Sequence, residues 1–207
     1  MLAIIPHFDT RYFDRVGFQG RTGRARSVGL LVLIGLALWT FSAPVAPAGT
    51  IRHDRDDSLY TSLAALPQYD CAGMVQLGSN IGSGTLIASE WVLTAGHMSG
   101  DGATFTVDGT AYDAVAGSYQ KHPSEDIGVF RLSLPVSGVI PAMLFEPTFG
   151  SEVGLDGTMV GFGNTGSGLS GETPLTTGTK RAGQNSIDAT GSFWNWSSNL
   201  LLVDFDS

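Results

Sequence analysis

Between Gly82 and His97 the chain reads Gly-Ser-Gly-Thr-Leu-Ile-Ala-Ser-Glu-Trp-Val-Leu-Thr-Ala-Gly-His, and few folds accommodate that run. Thr85–Ala88 and Trp91–Thr94 have the length and the apolar content of strands, while Ser89-Glu90 leaves room only for a tight polar turn. The run therefore predicts a β-hairpin. Its second strand ends in the small residues Ala95-Gly96, which set one imidazole, His97, at the hairpin's mouth. A lone histidine in a hairpin is ordinarily structural. Held on a rigid scaffold with a pKa near neutrality, it is also suited to acid–base chemistry.

The rest of the chain favours the same class of architecture. Glycine contributes 28 of 207 residues and charged side chains only 14%. Short apolar runs alternate with clusters of Gly, Ser, Thr, Asn and Asp, and no long segment of helical period follows residue 66. Turns account for the glycine better than low complexity does. An all-β barrel or sandwich is the expectation, preceded by a short helical turn over Ser58–Leu66.

A second motif follows. In Lys121-His122-Pro123-Ser124-Glu125-Asp126-Ile127-Gly128-Val129-Phe130-Arg131-Leu132, an apolar strand is predicted from Ile127 to Leu134. Asp126 directly precedes it, placed to be partly buried at a strand mouth. Glu125, if it continued the strand, would point to the opposite face. His122 reads as a surface loop residue.

Together the two motifs resemble the trypsin-like, chymotrypsin-fold serine peptidases. That family writes S-G-x-L-I and W-V-L-T-A-A-H-C around its catalytic histidine, matched here by Ser83–Ile87 and Trp91–Met98. It writes H-P…D-I-A-L-L-x-L around its aspartate, matched by Asp126–Leu132. Gly96 and Gly128 stand where the family has Ala, and Met98 where many members have a cysteine, so a bracing disulfide is missing. The resemblance implies two six-stranded Greek-key β-barrels, with His97 as general base and Asp126 as the carboxylate that orients it. It also implies an acyl-enzyme reaction on protein or peptide substrates, with no cofactor and no metal.

The nucleophile is not found. The family carries it in G-D-S-G-G, whose glycines let backbone N–H groups form an oxyanion hole. No such run exists in these 207 residues. Ser207 follows Asp206, but Phe205 replaces the glycine; Ser170-Gly171 and Ser192 also lack the pattern. Val153–Thr165, with Gly161-Phe162-Gly163, resembles the family's V-x-G-W-G strand. Gly178–Asp188 resembles a strand of its short bacterial secreted members, and Leu200–Phe205 reads as a further buried strand. The expectation is a peptidase domain over residues 49–207, with a first barrel at about 68–140 and an incomplete second barrel at about 141–207, cut before the nucleophile. The alternative is a non-catalytic pseudo-peptidase module that binds protein or peptide.

Residues 1–48 read as a signal peptide with an extended n-region. Arg21, Arg24 and Arg26 precede the apolar stretch Val28–Phe41, and Ala46-Pro47-Ala48 offers a cleavage site. At 14 residues the apolar core is short for a membrane span, although an uncleaved anchor is the competing reading. Residues 1–48 hold five of the 11 Lys and Arg and two of the 19 Asp and Glu; without them the net charge falls from −8 to −11. So acidic a surface argues against nucleic acid and suits a secreted or periplasmic protein with no stable membrane association. Cys71 is the single cysteine, so an internal disulfide is excluded; it reads as a small buried apolar residue. Ile51–Asp57 reads as a solvated charged lead, without the spacing or glycine of a metal loop.

Overall fold

Period-2 alternation shapes the first half of the molecule. In the computed structural model, which describes residues 51–145, 150–173 and 176–204, strand β1 (Ala72–Leu77) buries Gly73 and Val75. Strand β4 (Thr104–Val107) buries Phe105 and Val107 while its threonines stay half exposed. Between them run β2 (Asn80–Ala88) and β3 (Trp91–Thr94), joined at the predicted Ser89-Glu90 turn. β2 starts earlier than the apolar run suggests, because Asn80–Ser83 pair with β1. The remaining strands of this half are β5 (Thr110–Asp113), β6 (Gln120–Lys121) and β7 (Gly128–Arg131).

These seven strands form one antiparallel sheet in the order β5-β4-β1-β2-β3-β7-β6. Its far sides meet. Ala114 bridges Leu132, Val115 N–H donates to Arg131 O (2.8 Å) and Ser133 N–H donates to Asp113 O (2.8 Å), joining the end of β5 to the end of β7. Six strands thus curl into a barrel, with β6 a two-residue rung outside it. Closure leaves no long edge unpaired and gathers Val75, Leu86, Val92, Phe105, Phe130 and Leu132, each almost wholly buried, into one core.

After Ser133 the described residues form three two-stranded antiparallel ladders. β8 (Asp156–Gly161) pairs along its full length with β11 (Arg181–Ser186). β9 (Thr165–Ser167) pairs with β10 (Gly171–Thr173), and β12 (Ala189–Thr190) with β13 (Leu201–Leu202). This is the all-β class expected. The core here is thin: Ala182 and Ile187 are its buried apolar residues among those described, whereas Leu155, Leu169 and Leu200 are exposed.

Three expectations change. The strand predicted over Ile127–Leu134 is Gly128–Arg131; Leu134 is exposed and begins the departure from the barrel. The buried strand predicted at Leu200–Phe205 is the two-residue β13, half buried, because β12 is its one ladder partner among the described residues; Phe205 lies outside them. The charged lead is partly docked rather than merely solvated. Ile51 N–H donates to Gly166 O (2.7 Å), and Asp56 caps helix α1 (Asp57–Ala64) through Ser58 N–H (2.8 Å). Asp57 takes a two-pronged hydrogen bond from Arg181 on β11 (2.7 and 3.0 Å), which lowers its pKa. Arg52 engages Asp54 and holds its carboxyl at about 2. Each of the three aspartates of that run therefore has a structural partner.

Candidate active site

β3 and β7 are neighbours, with Thr94 opposite Gly128. Their register delivers the two motifs to one place, since β3 leads directly into His97 and β7 follows directly from Asp126–Ile127. Beyond Thr94, whose buried hydroxyl donates to Ser83 O (2.8 Å), the chain makes a single helical turn over Gly96–Met98. His97 sits mid-turn, its imidazole projecting outward.

Across 29 positions of sequence, His97 Nδ1 lies 2.7 Å from Asp126 Oδ2, and His97 backbone N–H donates to Asp126 Oδ1 at 2.8 Å. One carboxylate thus grips both the ring and the backbone of one histidine. The second contact is invisible in a motif, yet it fixes the carboxylate plane relative to the turn. Nδ1 carries the shared proton when the ring is neutral, which leaves the Nε2 lone pair for another partner. Among the described residues, none hydrogen-bonds Nε2. The side chains are 60% and 40% exposed, so Asp126 is less buried than a strand-mouth position suggests.

Asp126 stands on a tight turn rather than on a strand. His122 N–H donates to Ile127 O and Ile127 N–H to Glu125 O, both at 2.8 Å. Glu125 accordingly does not take a strand face. Its carboxylate accepts from Ser197 Oγ (3.0 Å), tying the loop to the second half of the chain. His122 is half buried, and its Nδ1 faces Glu125 N–H (3.1 Å) and Ser124 N–H (3.4 Å). Neither Glu125 nor His122 was assigned a part by the sequence reasoning. The signal available was the His-Pro pair at the start of a loop.

Packing explains the departures at Gly96, Met98 and Gly128. Met98 is buried against Gly82, whose missing β carbon would lie 3.1–3.5 Å from the thioether chain, so apolar packing fills the place of a cross-link. A β carbon on Gly96 would lie 3.1 Å from Asp126 Oδ1 and 3.2 Å from the Ile127 backbone, and Gly128 packs against both Gly96 and Ser99, which is fully buried and donates to Gly96 O (3.0 Å). A β carbon on Gly128 would fall 2.3 Å from Ser99 Oγ and 2.8 Å from its Cβ. Gly128→Ala is therefore expected to destabilise the fold by about 1–3 kcal/mol through overpacking. The two shortest clashes are with the Ser99 side chain, while the Gly96 Cα at 3.2 Å is a tight contact that remains, so Ser99→Gly in the same chain should recover part of the loss. Urea unfolding of the two single variants and the double variant tests this; additive losses would mean the strain lies elsewhere.

The serines weighed from the sequence do not reach His97. Ser170 Oγ bonds Ser167 Oγ (2.8 Å) in the β9–β10 hairpin, and Ser192 Oγ bonds Thr190 Oγ1 (2.6 Å). Ser207 lies outside the described residues. Cys71 is half buried beneath the barrel, and burial pushes its thiol up, away from the thiolate a nucleophile needs.

The family model described as Trypsin matches residues 62–195, a span that includes both His97 and Asp126. The chain belongs to the trypsin family. Among solved structures, this trypsin-family chain is similar to neuropsin, a serine protease of mouse brain. The identity is 18% and the TM-score 0.47, over 60% of this chain and 63% of neuropsin's. It is also similar to kallikrein-related peptidase 10, solved in complex with Zn2+. There the identity is 19% and the TM-score 0.49, over 66% of this chain and 69% of that one. The chain thus spans just under two thirds of the neuropsin chain. A search of curated proteins finds no match.

Proposed function

We propose that this chain carries the base and the orienting carboxylate of a serine endopeptidase. The observation that supports it is the grip of Asp126 on His97, at 2.7 Å to the ring and 2.8 Å to the backbone. In this reading a serine hydroxyl attacks the peptide carbonyl while His97 Nε2 takes its proton. The tetrahedral adduct collapses, the C–N bond breaks, and His97 returns the proton to the leaving amine. Water then repeats the cycle on the acyl-enzyme. Asp126 holds the Nδ1–H tautomer throughout and stabilises the imidazolium. The substrate is protein or peptide. No Gly-Asp-Ser-Gly run, the family's setting for that serine, lies within these 207 residues.

The test is a fluorophosphonate probe together with a panel of fluorogenic peptides. Both are applied to the 207-residue chain and to the protein expressed with whatever codons follow residue 207. The longer protein should hydrolyse peptides and label on a serine flanked by glycine, and the shorter should do neither. Labelling of the 207-residue chain at Ser207 would overturn the assignment. A reading frame without such a serine would favour the binding module.

We further propose that the protein is exported and that residues 1–48, which lie outside the described residues, are removed. No helix among the described residues is long and apolar enough to cross a membrane. Mass spectrometry of the secreted or periplasmic product is expected to find an N-terminus near Gly49. An intact N-terminus recovered from a membrane fraction would instead indicate an anchor.

A further inference from the structure

The loop that presents Asp126 is organised around a second histidine. We propose that His122 is a positioning residue for the catalytic pair: its unprotonated Nδ1 stands in for the side-chain oxygen of an asparagine and holds the Ser124–Asp126 turn in the shape that sets Asp126 against His97.

Three observations carry this. First, Nδ1 faces two backbone donors, Glu125 N–H at 3.1 Å and Ser124 N–H at 3.4 Å, with Ser124 Oγ also at 3.4 Å. Two amide hydrogens directed at one ring nitrogen require a lone pair there, so the neutral ring carries its proton on Nε2. Second, the donors lie two and three residues beyond the histidine. Asparagine and aspartate side chains accept from the backbone in that pattern when they start a turn, and a following proline, here Pro123, favours it. Histidine Nδ1 and asparagine Oδ1 are each bonded directly to Cγ, so the geometric substitution is close. Third, backbone bonds close the same turn around Asp126. His122 N–H to Ile127 O closes its base, and Ile127 N–H to Glu125 O folds the backbone tightly around Asp126. His122 is half buried.

The two histidines therefore have opposite tautomers: Nε2–H on His122 as acceptor for the turn, Nδ1–H on His97 as donor to Asp126. His122 touches no reacting atom. Its effect on His97 passes through the position of one carboxylate.

The proposal rests on reading His97 and Asp126 as a catalytic pair, and its test separates the two. In the full 207-residue chain, labelled with nitrogen-15 in histidine, the ring nitrogen shifts above the histidine titration range report each tautomer directly. Wild-type protein should show a pyridine-type Nδ1 on His122 and a pyrrole-type Nδ1 on His97. His122→Asn keeps the acceptor without the ring and should leave the His97 tautomer unchanged. His122→Phe keeps the ring shape without the acceptor and should shift His97 toward the Nε2–H form that a free imidazole favours, as should His122→Ala if it folds. A His97 tautomer indifferent to His122→Phe, or one shifted equally by His122→Asn, would reduce His122 to packing and overturn the proposal. A protonated Nδ1 on wild-type His122 would overturn it as well. A wild-type His97 already in the Nε2–H form would instead bring down the catalytic-pair reading, and the positioning proposal with it.

Discussion

Asp126→Asn, made in a form of the protein that carries a nucleophile serine, is expected to lower kcat by about 10⁴-fold while the fold and KM change little. The size is carried over from the family's own template triad; the reason lies in the geometry of this site. Asparagine is nearly isosteric with aspartate but has one acceptor and one donor where aspartate has two acceptors. His97 backbone N–H donates to Oδ1 at 2.8 Å and does so in every protonation state of the ring. The amide must therefore turn its oxygen to that N–H, which leaves its NH2 facing His97 Nδ1, 2.7 Å from the position of Oδ2. Nδ1 then has to be the lone-pair nitrogen, and the neutral ring carries its proton on Nε2. A base protonated at the atom that should receive the serine proton cannot act. A loss of 10⁴ is about 5.4 kcal/mol in the barrier. His97→Ala should be at least as damaging, because members of such a triad act as a unit. Steady-state peptide hydrolysis measures both; less than a tenfold loss in Asp126→Asn would remove this carboxylate from the mechanism.

The pairing of His97 with Asp126 was legible in the sequence, and for a physical reason. Its two residues sit at the ends of strands whose apolar pattern fixes their register. With Thr94 opposite Gly128, the residues just beyond β3 and just before β7 must meet. The hairpin turn at Ser89-Glu90 and the helix before Pro67 were equally plain, because local patterns decide them. What stayed hidden depends on side chains meeting at long range. Nothing in the sequence says that Arg181 reaches back to Asp57, that Ser197 reaches Glu125, or that Ser99 fills the space above Gly128. The strand after Asp126 was started one residue early, at Ile127 instead of Gly128, and the tight turn that holds Asp126 went unread. A tight turn closed by a histidine acceptor leaves no periodic trace, and its residues look like ordinary polar loop residues. The weak strand over Leu201–Leu202 was overestimated for the converse reason: an apolar run shows what could be buried, not whether a partner is there to bury it.

Phe130→Ala should cost about 3–5 kcal/mol, the usual price of emptying a fully buried aromatic position. Against the roughly 5–15 kcal/mol that holds a typical domain together, that is between about a fifth and all of the total. Phe130 is wholly buried on β7, opposite Val92 on β3, and packs in the cluster with Leu86, Phe105 and Leu132. The barrel core is small, and its neighbours are held in strands closed through Ala114 and Leu132, so they have little freedom to collapse into the cavity. The site should feel the loss as well, because β3 and β7 are the two strands that carry His97 and Asp126. Phe130→Leu, which keeps most of the volume, should cost far less, on the order of 1–1.5 kcal/mol. Equilibrium unfolding of the three proteins in urea gives the free energies, provided the slopes agree. The His97 tautomer, read in the same samples at zero denaturant, shows whether the pair loosens before the barrel opens. If Phe130→Ala lost under 1 kcal/mol, the closed barrel would not be the element that sets the stability of the site, and the thin second half would have to be.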